Sequence, residues 1–88
     1  MRRIRGEPVE VWLRHGRPAR FVWRGRLYVV LFVLDRHGGN PGPTDSGSDQ
    51  PLSPEYWLVE ATAQRAITAA HFELCHDFET GHWTLSRS

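Results

Sequence analysis

The chain has 88 residues, a net charge of +1 and a single cysteine, Cys75. That length allows one domain, 1–88, with no second core, and one thiol excludes an intramolecular disulfide or a zinc ribbon. The basic start, MRRIRGEPVEVWL, is interrupted by charges and Pro8 before any signal-type apolar stretch develops, and the longest apolar run, Leu27–Leu34, is too short for a membrane helix, so a soluble, cytoplasmic protein is expected.

The small net charge hides an asymmetry. Residues 1–36 hold nine arginines against Glu7, Glu10 and Asp35, a net of +6, whereas 37–88 hold Arg65 and Arg87 against seven acids, a net of −5. Every cation is arginine, which suits bidentate contacts to phosphate or carboxylate, but GC-rich codon usage produces the same pattern and is the favoured cause. A chain this short buries roughly 60% of its unfolded surface, so its four Trp, four Phe and two Tyr must supply much of the core.

In chain order, Pro8–Leu13 alternates Val9, Val11 and Leu13 against Glu10 and Trp12, the pattern of a strand with one buried face. RHGRP breaks it. Ala19–Trp23 and Arg26–Asp35 then form a hairpin about Arg24-Gly25, where Gly25 supplies the positive φ that a two-residue turn demands. This turn sets the register: Phe21 opposes Tyr28, Trp23 opposes Arg26, Val22 opposes Leu27 and Arg20 opposes Val29. One face of the hairpin then carries Phe21, Trp23, Tyr28, Val30 and Phe32, a core row. The other carries Arg20, Val22, Leu27, Val29, Leu31 and Val33.

Residues 36–54, RHGGNPGPTDSGSDQPLSP, have no aromatic residue and are rich in Gly and Pro, so a long disordered loop is expected there. EYWLVEA resumes strand alternation, with Trp57 and Val59 on one face and Tyr56 and Leu58 on the other, both at least partly covered. The alanines of ATAQRAITAAH suit a helical turn; Ala61–Ile67 is read as a turn or irregular connection. His71–Asp77 alternates again, Phe78–Gly81 turns, and His82–Arg87 brings Trp83 and Leu85 to the side of Phe72 and Leu74. The fold class is therefore all-β: a six-strand antiparallel meander, curled or closed into a small barrel.

The combination of PARFVWRGRLY, EYWLVEA, FELCHD and TGHWTL resembles a small actinobacterial family of domains of unknown function, and is similar to the C-terminal tail of catalytically inactive Y-family polymerases of the bacterial mutasome. The resemblance covers most of the chain outside 36–54. It implies an accessory role in damage-tolerant, error-prone DNA synthesis, with a mutasome polymerase component as partner. It carries over no catalytic residue, and the tryptophans that many relatives bear in the long loop are absent here.

Two surfaces are candidates. The apolar second row, Val22, Leu27, Val29, Leu31 and Val33, demands cover by barrel closure, by the N-terminal segment or by another chain; in the last case it is a docking face for a protein partner or a second copy. Alternatively Trp12, Arg14, Arg17, Arg20, Arg24 and Arg26 form a basic aromatic surface for single-stranded nucleic acid, with bases stacked on exposed rings. Trp23 and Tyr28 also lie near these arginines but belong to the core row, so Trp12, whose neighbours on its face are Glu10 and Arg14, is the better candidate for an exposed ring. No enzyme, metal or cofactor is expected. His71, Glu73, Cys75, Asp77 and His82 share a face but lack zinc-ligand spacing, Cys75 and His76 point to opposite faces, and GGNPGP lacks the lysine of a phosphate loop. The leading expectation is a noncatalytic protein-interaction module.

Overall fold

A computed structural model describes residues 6–38 and 54–87. Six antiparallel strands close into one barrel in chain order: β1 (Glu7–Arg14), β2 (Arg17–Trp23), β3 (Arg26–Gly38), β4 (Glu55–Ala63), β5 (Ala70–His76) and β6 (Trp83–Arg87). The seam joins β1 to β6, with Glu7 opposite Leu85 and Val9 opposite Trp83. Closure satisfies strand edges that an open meander would leave unpaired. Among the described residues no helix is long and apolar enough to cross a membrane.

Two tight turns set the first half. His15-Gly16 and Arg24-Gly25 have φ of 54° and 77°, and 55° and 75°, the doubly positive pattern that matches the twist of a hairpin. The second fixes the register read from the sequence, Phe21 to Tyr28 and Trp23 to Arg26. The Phe78–Gly81 turn does the same for the last hairpin: the Asp77 amide donates to the His82 carbonyl at 2.9 Å, and Cys75 lies opposite Thr84.

The core holds Phe21, Trp23, Trp57, Val59, Ala61, Phe72, Leu74 and Leu85. Phe72 is its hub, edge-on to Phe21, Trp23 and Tyr28 at 5.5, 5.7 and 5.4 Å, an arrangement that suits the ring quadrupoles. The expected turn at Ala61–Ile67 is instead strand as far as Ala63, because Ala61 and Ala63 lie opposite Val30 and Tyr28 and leave room for them. The 64–69 connection has no helical turn. Of the expected loop 36–54, Arg36–Gly38 continue β3 and Pro54 precedes β4; 39–53 lie outside the described residues. Arg36 lies over the Trp57 ring at 4.7 Å and donates to the buried Glu55 carboxylate, while His37 stacks on Tyr56. These contacts hold the polar end of β3 in the sheet.

The alternation along β3 fails at two bulges. Val30 opposes Ala61 but Phe32 opposes Glu60, and Val33 opposes Val59 but Asp35 opposes Leu58, so Leu31 and Leu34 are extra residues in the ladder. Each extra residue reverses the faces that follow. Phe32, expected in the core row, is 62% exposed, and Val33, expected on the second row, packs against the core. A third shift, between Trp12 and Leu13, arises where β2 carries the extra residue Ala19. Leu13 therefore lies opposite Pro18 near the hairpin tip and stays 52% exposed, although its spacing grouped it with Val9 and Val11.

Candidate interaction surfaces

The outer face of β3 is apolar for most of its length. Val29, Leu31, Phe32 and Leu34 are all exposed, and Phe32 is the most exposed of the four. Val22 and Leu27, opposite one another on the same face, are half-buried. Of the expected docking row, Val22, Leu27, Val29 and Leu31 thus share the outer surface and Val33 leaves it. Phe32 and Leu34 join it, which alternation could not reveal: the bulges fall inside an unbroken apolar run and have no glycine to mark them.

β3 pairs with β2 only between Arg26 and Val29, while its pairing with β4 continues to Gly38. No described strand pairs with the β2-facing edge of β3 beyond Val29. The two bulges break the even spacing that an added strand would read, so the face rather than the edge is the usable surface.

The six expected nucleic-acid residues divide into two groups. Trp12, Arg14, Arg17 and Arg20 lie on the outer face of the β1–β2 hairpin, where Trp12 opposes Arg20 and Arg14 opposes Arg17. Arg24 and Arg26 lie at the far end of β2, about 10–13 Å beyond Arg20 and over 20 Å beyond Arg17 by strand rise. There Arg24 is engaged: it lies over Trp23 at 4.6 Å, and its Nε donates to Glu7 Oε1 at 3.0 Å. The Trp23 indole N–H donates to the same oxygen at 2.9 Å. Glu7, which no sequence motif singled out, thereby caps one mouth of the barrel. The Arg24 guanidinium and the indole hold its carboxyl below the usual 4.5.

Between β1 and the β5–β6 turn, beyond the pairing at Val9, runs an open groove of about 590 Å³ whose lining includes Val11, Trp12, His82 and Trp83. On the outer face of β5, Cys75 hydrogen-bonds with Tyr56 and Thr84, and burial pushes its thiol up from the usual 9.0. His76 points the other way and stacks on Trp83 at 4.4 Å. His71 Nε2 lies 3.4 Å from Glu60. No group of three His, Cys, Asp or Glu side chains suited to a metal ion occurs among the described residues.

A family profile described as a domain of unknown function (DUF6504) matches residues 1–88. No curated protein and no solved structure matches the chain.

Proposed function

The chain belongs to the DUF6504 family, and from that premise we propose that it is a noncatalytic interaction module that docks a protein partner on the outer face of β3. The observation that carries this reading is the exposed row Val29, Leu31, Phe32 and Leu34. Single exposed apolar residues are ordinary on a protein surface, but a contiguous patch marks an interaction site. Full burial of such a side chain is worth roughly 1.5–3 kcal/mol, so covering this half-exposed row adds several kcal/mol of favourable transfer energy. Phe32, central and aromatic, is the natural anchor.

The resemblance of the hairpin and of the EYWLVEA and TGHWTL segments to mutasome polymerase tails supports a place in error-prone, translesion DNA synthesis, with a polymerase component of that assembly as partner. A cytoplasmic setting belongs to the same proposal, supported by a lone cysteine that remains a free thiol.

Copurification of the tagged chain with error-prone polymerase subunits tests it. Phe32→Asp and Leu31→Asp should abolish recovery while leaving the thermal midpoint near that of the parent. Val33→Asp, which buries a charge against the core, should unfold the domain. Undiminished recovery with folded Phe32→Asp would rule out this face, and sedimentation of the purified chain as a dimer that Phe32→Asp dissociates would assign the face to a second copy.

A further inference from the structure

We propose that the outer face of the β1–β2 hairpin binds the backbone of single-stranded nucleic acid, with Trp12 as a base-stacking platform. Arg14 and Arg17 are directly opposed where the hairpin closes, and like charges facing one another across strands are destabilising. Among the described residues neither has a carboxylate partner, nor has Arg20, in contrast to Arg24 and Arg36, which are bound to Glu7 and Glu55. Two arginines opposed across the strands with no counter-charge offer donors to a phosphate, which accepts several N–H groups at once.

The next row continues the site. Trp12 opposes Arg20, and rows on one strand face repeat at about 7 Å, a distance that an extended nucleotide backbone covers in one step. Trp12 is 48% exposed and is one of the residues lining the open groove that also includes His82 and Trp83. A base stacked on it therefore lies beside the arginine row. Glu10, one row further and opposite Val22, bounds the site with negative charge. An acidic peptide would satisfy the guanidiniums but would leave the exposed indole unused, which favours nucleic acid. Arg24 is taken up by Glu7, and Arg26 lies opposite the core-facing Trp23, so neither belongs to this row.

Fluorescence anisotropy with labelled oligothymidylate tests the proposal on the full chain. Binding at low salt should weaken with a log–log slope of about −2, as three neutralised single-strand phosphates give, and Trp12→Ala should lower affinity roughly tenfold. Arg17→Glu should abolish binding while keeping or raising the thermal midpoint, because it replaces a like-charge pair with an Arg14–Glu pair; a merely structural arginine would show the opposite. Phe32→Asp, aimed at the β3 face, should leave this binding intact, so the two surfaces fail or stand separately. No binding at low salt, equal affinity for polyglutamate with no effect of Trp12→Ala, or full binding by Arg17→Glu would each overturn the site.

Discussion

Glu7 shows how much one carboxylate at a barrel mouth can organise. It accepts from the Trp23 indole and from Arg24, sixteen and seventeen residues away in sequence. Its carboxyl titrates below the usual 4.5 in the folded state, so the unfolded chain takes up the proton first. The stabilisation is complete above the unfolded value and is lost as pH falls through the folded one. The difference in thermal midpoint between the parent and Glu7→Gln should therefore be full at neutral pH and should close in acid below 4.5. Nothing in the sequence marks Glu7, because its partners meet it only once β1 has paired with β2 in the register that sets Glu10 opposite Val22. Cys75 is the reverse case: its place opposite Thr84 follows from turn counting, and burial raises its thiol. Its alkylation at mildly alkaline pH should be slower than that of a free thiol, with the rate still rising above pH 9.0, the usual thiol value.

At the scale of the element, β3 separates what alternation can reveal from what it cannot. The Arg24-Gly25 turn set the first rungs correctly from sequence, since a two-residue loop leaves one register. Beyond Val30 the same counting places Phe32 inside and Val33 outside, and both are reversed by the bulge at Leu31. Every residue from Leu27 to Leu34 is apolar, so inserting one changes the faces without changing the pattern. Urea denaturation checks the outcome. Phe21→Ala, at a site with no exposure, should cost about 3–5 kcal/mol, whereas Phe32→Ala should stay within about 0.5 kcal/mol of the parent. The candidate docking row was legible only as far as Leu31 for the same reason, and the aromatic anchor at its centre was not.

For the whole molecule, closure distributes both charge and stability. β1–β3 with their turns carry Arg14, Arg17, Arg20, Arg24, Arg26 and Arg36 against Glu7, Glu10 and Asp35, while β4–β6 carry Glu55, Glu60 and Glu73 against Arg87, so the asymmetry seen along the sequence becomes one between the two sides of the barrel. The seam is short, Glu7–Val9 against Trp83–Leu85, whereas β4 pairs with β5 from Glu55 to Ala61. A Cβ on Gly6 would stand 2.8 Å from the Leu85 carbonyl oxygen, so the two backbones approach too closely there for any larger residue without a shift. Gly6→Val should open the seam, and hydrogen exchange should then quicken at Val9 and Trp83 well before it does at Phe72 and Leu74. The docking claim itself is tested most directly by a photo-crosslinking side chain placed at Phe32 in living cells, with the same group at Thr84, on β6 rather than the β3 face, as control. Discrete adducts containing an error-prone polymerase subunit should form from position 32 and not from position 84. Adducts from neither position, or equal adducts from both, would contradict the assignment of the β3 face as the partner surface.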